Sequence, residues 1–511
     1  MPKFIWIMRH FINCILSTIA FITLLCSCSD EEPRVIYAIG VVPNAKCTSA
    51  EQDITINYQL HDILLQSEVA PIVSISTDAD WVTVIDNSTI GSFTVRVSKN
   101  ESKNRTASIK ISAKECKTAK VTLMQYGAPP TEKVNHTLMY LFMGTSLKRY
   151  FNTNIADAKL AINTGILGDC NRVLFFRQES ETRGYIGELC YDVLGKECIE
   201  QRLEDITIDG SLITPESMGE YISKMAAYAP AKRYGLVCAG HGQAWITRDI
   251  LESDKDISTF SVGYNPWMQA AGAETTRAFG ESNVRLNISE LADAIESSTV
   301  ELDYILFDAC FMSNIETVYD LRNAANYIIA SPCEIMGRGF PYEKTLPYLF
   351  TDFGNTSDYI GAAYSYYNYY ANEYHSSSRS GSIAVYDCAE INALAEATHK
   401  VMLNTKQMGE YNKSELQTYE GQRVHHFYDF GQWVNVIAND EEALKAFNEQ
   451  LNRCVIGKYT LSSFYSAYGN YGTYPINVSV YSGVTTSAPS EAYPNGWRQT
   501  NWYKEVIELE N

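Results

Sequence analysis

From residue 136 onward the sequence carries continuous apolar runs, Leu138 to Phe142, Arg172 to Phe176, Leu236 to Ala239, Tyr304 to Phe307 and Tyr327 to Ala330, separated by stretches of helical character. Strands apolar on both faces are stable only in a sheet covered on both sides, so these runs require an α/β domain. Helix starts are legible at Thr214-Pro215-Glu216, Asn287-Ile288-Ser289-Glu290 and Ser313-Asn314-Ile315-Glu316. The last two set a capping residue three positions before a glutamate. Tyr364, Tyr366, Tyr367, Tyr369, Tyr370 and Tyr374 fall at helical spacing, and they read as a packed amphipathic helix rather than a sugar-binding platform.

Upstream the period changes. Ile54 to Tyr58, Trp81 to Val84, Phe93 to Val97, Ala107 to Ile111 and Ala119 to Leu123 alternate apolar and polar residues, the mark of half-buried strands, and they predict an all-β, immunoglobulin-like sandwich over residues 34–127. Its order of features, Asp80-Trp81, Asn100 to Thr106 and Gln125-Tyr126-Gly127, resembles the BACON domain. That resemblance implies glycan contact, whereas the residues themselves read as a spacer. A Pro-containing linker, 128–135, then joins it to residues 136–511.

The first residues suit export. Lys3 and Arg9 precede an apolar run from Phe11 to Leu25 that is short for a membrane span, so residues 1–27 read as a signal peptide. Leu25-Cys26-Ser27-Cys28 resembles the lipobox of bacterial lipoproteins, which implies acylation of Cys28, a lipid anchor and a place on the outer membrane or cell surface. Residues 28–33 form an acidic tether.

The formal charge of −19 repels phosphate backbones, excludes nucleic acid as the expected partner and favours cationic ligands such as Lys- or Arg-rich peptides. Thirteen cysteines scatter along the chain, and the ten left after Cys14, Cys26 and Cys28 contain no CxxC pair, so neither a zinc site nor a redox motif is indicated. Cys190 and Cys198 are the pair whose spacing allows a bridge. His425-His426 lies near Asp429 without ligand spacing and reads as structural. No metal and no cofactor is expected.

Two apolar runs stop abruptly at reactive groups: Gly235-Leu236-Val237-Cys238-Ala239-Gly240-His241-Gly242 and Tyr304-Ile305-Leu306-Phe307-Asp308-Ala309-Cys310. In an open α/β sheet, ligands bind beyond the carboxyl ends of the strands, so His241 and Cys310 meet at one rim if their strands are parallel neighbours. That makes a thiol and base pair. A thiol of reference pKa about 8.5 needs the imidazole, or the amino end of the helix beginning near Ser313, to favour its thiolate. Gly240 and Gly242 leave room for a substrate backbone, and the amides of Gly242 and Cys310 are candidate donors to an oxyanion. Asp308 shares a face with Cys310 and calls for a basic partner, its other reading being a cap for the next helix.

The segments AGHGQAW (239–245), LFDACFMSNIE (306–316) and YIIASPCEIMGRGFPY (327–342), with YDFGQW (428–433) and Ser482-Gly483 later, resemble the clostripain family of cysteine peptidases. The resemblance implies a caspase-like sheet flanked by helices over residues 136–511, His241 as base, Cys310 as nucleophile, and Asp308 lining a pocket for Arg or Lys before the scissile bond. It also implies self-cleavage between the two strands, expected after Lys255 with Arg248 or Arg277 as alternatives. Some members use calcium, but the chain has no DxDxDG-type loop. The expected function is a lipid-anchored endopeptidase acting on protein or peptide substrates; the rival is a noncatalytic adhesin or glycan-binding lipoprotein with a peptidase-like fold.

Overall fold

The computed structural model describes residues 37–62, 72–101, 105–113, 116–127, 133–192, 196–209, 213–247, 250, 267, 273, 275–277, 288–405, 411–468 and 475–508. The signal segment, Cys28, the tether, Arg248 and Lys255 lie outside the described residues. The chain divides into two compact units, Met1–Pro129 and Pro130–Asn511.

In the first unit, one sheet orders Asn44–Cys47, Ala119–Gln125, Arg105–Ala113 and Val73–Thr77, and the other orders Val82–Asp86, Ser92–Val97, Gln52–Asp62, Tyr37–Val41 and Cys116–Lys117. Period two sets which side chains go inward: Phe93, Val95 and Val97 are buried while Arg96, between them, is exposed. They close a core with Ile109, Ile111, Val121 and Leu123. This is an immunoglobulin-like sandwich.

The second unit is built on a nine-stranded mixed sheet. Its strands are β1 (Val134–Phe142), β2 (Asn171–Ser180), β3 (Arg183–Asp192), β4 (Glu197–Thr207), β5 (Ala231–Ala239), β6 (Leu302–Asp308), β7 (Ala325–Ala330), β8 (Ile383–Asp387) and β9 (Val455–Tyr459), in spatial order β4-β3-β2-β1-β5-β6-β7-β8-β9. The five runs read as continuous and apolar are β2, β1, β5, β6 and β7, and these five form the parallel centre. Antiparallel pairs flank it on each side. β1 begins inside the expected linker, because Val134 already pairs with Ala231.

Helices α1 (Lys148–Asn163), α2 (Pro215–Tyr228), α3 (Ile288–Ser297), α4 (Ile315–Asp320), α5 (Tyr342–Leu349) and α6 (Tyr359–Asn372) flank the sheet, α2 packing on α3, α1 on α5, and α5 on α6. Thr214 caps α2 through a reciprocal box with Ser217. The cap of α4 is Asn314 rather than Ser313; the Ser313 hydroxyl is instead committed to the Gly483 carbonyl at 2.7 Å and to the Tyr386 hydroxyl. Cys190 and Cys198 are free thiols. Cys190 faces Ile199 across the ladder and Cys198 faces Tyr191, so the two sulfurs leave opposite faces of the sheet and do not bridge. On α6, Tyr366 and Tyr370 are fully buried, which makes the tyrosine run a packed helix face.

Candidate functional site

The register of the sheet sets the site. β5 and β6 are parallel neighbours in which Ala239 pairs with Asp308, so the chain passes the rim at the same level in both strands. His241 stands two residues beyond Ala239, and Cys310 two beyond Asp308. The loops they sit on are in contact: a Cβ on Gly242 would come within 2.5 Å of the Cys310 carbonyl oxygen, so only glycine lets the two turns close together. Phe311 turns the chain away with a φ of 62°, a left-handed conformation that costs a bulky residue about 1–3 kcal/mol. Its ring is held against Phe427 and Trp267.

The rim is occupied by the chain's own connection between β5 and β6. Thr275, Thr276 and Arg277 lie along the segment that follows β7, joined to it by an antiparallel bridge. Thr276 bridges Met336, Gly337 donates to the Thr275 carbonyl at 2.6 Å, and the Arg277 amide donates to the Ile335 carbonyl at 2.8 Å. The Arg277 carbonyl oxygen accepts from the Gly242 amide at 3.0 Å and from the Cys310 amide at 3.3 Å. Thus the two amides singled out in the sequence converge on one carbonyl oxygen.

The side chain of Arg277 enters a pocket in which both it and Asp308 are 0 % exposed. Nη1 lies 2.9 Å from Asp308 Oδ2 and donates to the Asp308 carbonyl at 3.1 Å. Nη2 donates to Asn154 Oδ1 at 2.6 Å and to the Gly337 carbonyl at 3.1 Å, and Nε donates to the same carbonyl at 3.2 Å. All three nitrogens of the planar guanidinium are matched, which a point-charge ammonium cannot reproduce. Asp308 Oδ2 also accepts from the Tyr342 hydroxyl at 2.8 Å and the Phe340 amide at 3.4 Å. Burial pushes this carboxyl above its ordinary value, against the pull of Arg277 and Tyr342. Gly339, at φ 71°, leaves the space: a Cβ there would lie 2.3 Å from Arg277 Nη2. Tyr370 of α6 fixes that glycine by donating to its carbonyl at 2.9 Å. The Asp308 carboxylate is thus engaged by Arg277, Tyr342 and the Phe340 amide, and the cap of α4 is Asn314.

Cys310 is fully buried beneath this segment, and its sulfur accepts from the Ile335 amide at 3.0 Å and donates to the Ile335 carbonyl at 3.5 Å. Burial, with the nearby Glu334 carboxyl adding to it, pushes the thiol well above its ordinary pKa, so the sulfur is protonated in this arrangement. His241 Nε2 is 2.9 Å from the Ser146 hydroxyl. A second hold on the connection is Trp267, whose Nε1 donates to the Tyr493 hydroxyl at 3.1 Å while its ring stacks on His426. Asn154, Gly337, Gly339 and Tyr342 were not read as functional from the sequence; the glycines flanking Arg338 just beyond a strand end were the available signal.

His425 Nδ1 pairs with Glu420 at 3.0 Å, and Asp429 caps helix Phe430–Ile437. Among the described residues no group of three or more His, Cys, Asp or Glu is arranged to hold a metal ion.

The clostripain family model matches residues 199–476, and the BACON domain model matches residues 71–126. Among solved structures, a secreted C11 cysteine protease from Bacteroides thetaiotaomicron, "iotapain", is 29% identical with a TM-score of 0.63, covering 73% of this chain and 100% of that one. An inactive zymogen C11 protease from Parabacteroides distasonis is 28% identical with a TM-score of 0.61, covering 74% and 99%. A secreted C11 cysteine protease from Bacteroides thetaiotaomicron in complex with an irreversible peptide inhibitor, 24% identical with a TM-score of 0.59, has the same fold over 73% of this chain and 98% of that one. No curated protein matches the chain.

Proposed function

The chain belongs to the clostripain family of cysteine peptidases, and on that premise we propose that it is a lipid-anchored endopeptidase that cleaves after arginine, and less readily after lysine, through Cys310 and His241. The observation that carries this reading is the lodging of Arg277: its guanidinium is paired with Asp308 while its carbonyl oxygen takes the amides of Gly242 and Cys310. A bound segment with its side chain in a charged pocket and its carbonyl on two fixed donors is the ground-state image of a peptide about to be cut.

In the proposed reaction Cys310 leaves its bonds to Ile335, turns toward the imidazole and gives up its proton to His241. The sulfur adds to the carbonyl carbon, and the oxygen, now anionic, is held by the two amides. His241 returns the proton to the departing amine, and a thioester remains on Cys310. Water then attacks that thioester with His241 as base, releasing the new carboxylate and restoring the thiol.

The first substrate is the chain itself. The bond between Arg277 and Ala278 takes the place expected for Lys255, because Arg277 is the residue seated in the pocket. Uncut, the connection covers Cys310, so the intact chain is a zymogen, as the similar Parabacteroides protein was solved in an inactive zymogen form. Acylation at Cys28 and the acidic tether support a place at the bacterial surface, with the sandwich as a spacer.

The test is a set of fluorogenic peptides ending in Arg, Lys, Asp or Asn, presented to wild type and to Cys310→Ala. Turnover of Arg above Lys by wild type alone is the expected result. Equal turnover by Cys310→Ala, or none on any peptide after the connection has been cut, sinks the reading and favours an adhesin.

A further inference from the structure

Ser146, which takes no part in the reaction above, lies in the short turn Thr145–Leu147 that follows β1, and its hydroxyl oxygen is 2.9 Å from His241 Nε2. The turn is fixed on every side but one. The Met143 amide donates to the Ala239 carbonyl at 2.9 Å, so β1 and β5 reach the rim level with each other. Gly144 turns the chain at a φ of 108°, and its amide donates to the buried Gln178 side chain of β2 at 3.0 Å. Leu147 is buried and anchors the far end of the turn in the core. Ser146 itself is exposed, so its hydroxyl hydrogen can go to water while its oxygen accepts from the ring.

The orientation of the imidazole follows from its neighbours. A Cβ on Gly144 would lie 3.5 Å from His241 Cδ2 and 4.0 Å from Nε2, so that edge of the ring faces the loop after β1. Nδ1 sits on the other edge and is enclosed. Because β5 stands between β1 and β6, the edge turned away from Ser146 is the one on the side of the loop carrying Cys310.

We propose that Ser146 is a positioning residue for His241: its oxygen accepts the Nε2 hydrogen, holds the neutral ring in the tautomer with its lone pair on Nδ1, and makes Nδ1 the nitrogen that exchanges the proton. The inference rests on His241 being the base for Cys310. A serine that donated to Nε2 would leave the hydrogen on Nδ1, and no lone pair would face the thiol. In acylation the S–H proton moves to Nδ1 while the sulfur electron pair forms the bond to the carbonyl carbon. The Nε2 hydrogen stays on Ser146, now as a charge-assisted bond from an imidazolium. Nδ1 then gives the same proton to the departing amine as the carbon–nitrogen bond breaks.

The experiment compares the full chain as wild type, Ser146→Ala and Ser146→Thr, first by the rate of self-cleavage and then, once prolonged incubation has completed it, on one Arg peptide. Without the hydroxyl the ring is free to turn and to change tautomer, so in Ser146→Ala both kcat and the self-cleavage rate fall about tenfold with KM unchanged. Ser146→Thr keeps the oxygen and retains most of both rates. A Ser146→Ala chain as fast as wild type overturns the positioning role while leaving the reading of Cys310 and His241 standing. So does a loss confined to KM, or an equal loss in Ser146→Thr. A wild-type chain that neither cuts itself nor turns over the peptide removes the parent reading and this one together. In the uncut Cys310→Ala chain, nitrogen NMR of the neutral His241 ring reads the tautomer directly: a hydrogen on Nε2 is expected, and a hydrogen on Nδ1 overturns the proposal.

Discussion

Replacing Asp308 by asparagine tests the charge logic of the pocket with almost no change of shape. The amide side chain would keep an oxygen for the Tyr342 hydroxyl and the Phe340 amide, which now converge on Oδ2, so the wall of the pocket survives. What disappears is the countercharge for a guanidinium that is 0 % exposed. Removing one partner of a buried pair costs about 3–5 kcal/mol, because the remaining charge is left in a low-dielectric site. The four contacts of Arg277 to Asn154, Gly337 and the Asp308 carbonyl remain and hold the loss near the lower figure. At about 1.4 kcal/mol per decade, kcat/KM on an arginine peptide should fall by a factor on the order of 10². The assay compares wild type and Asp308→Asn on peptides ending in Arg and in Gln, with thermal melting as the folding control. A loss below about threefold on Arg, or an equal loss on Arg and Gln, refutes the assignment of Asp308 to the arginine charge.

Other perturbations reach the same site from different sides. Arg277→Lys should slow self-cleavage by at least about tenfold, since one ammonium cannot serve Asp308, Asn154 and Gly337 together, and a gel time course reads this directly. Gly339→Ala adds a Cβ 2.3 Å from the guanidinium at a φ of 71°, and it should leave a folded protein that neither cuts itself nor turns over Arg peptides. Glu334, raised from 4.5 to about 7 by burial, binds a proton in the folded chain that the unfolded chain has lost, so its contribution is present below pH 4.5 and is lost as pH rises through 7. Relative to Glu334→Gln, wild type should therefore lose about 3 kcal/mol between those values, read from denaturant midpoints in a Cys310→Ala background that keeps the connection uncut. A flat difference across that window contradicts the burial of an ionisable group at position 334.

Much of the scaffold was readable because it depends on local pattern. Runs without alternation could only be doubly covered strands, and all five became the parallel centre of the sheet. That His241 and Cys310 share a rim was readable for the same reason: each is the reactive group at which such a run ends. Among the flanking strands, Glu197–Thr207 escaped notice because it mixes charges among few apolar residues and carries no continuous run. Helix α4 shows the limit of capping arguments, since Ser313 and Asn314 both qualify, and the choice fell to tertiary partners, Gly483 and Tyr386 claiming the serine. The pocket was legible only through Asp308. Its other walls come from α1, the segment after β7 and the start of α5, and nothing in the spacing of Asn154, Gly339 and Tyr342 announces that they converge. Arg277 is the strongest case: in sequence it was one of three candidate cleavage points in a long connection, and its register against Ile335 and Gly337 and its pairing with Asp308 come only from the fold.

The central claim, that Cys310 cuts the peptide bond its own chain holds in the site, is tested most directly by the mass of the fragments formed on incubating purified protein. Wild type should yield a carboxyl-terminal piece beginning at Ala278, absent from Cys310→Ala and from Arg277→Gln. A wild-type chain that stays whole, or the same piece appearing from Cys310→Ala, would contradict it.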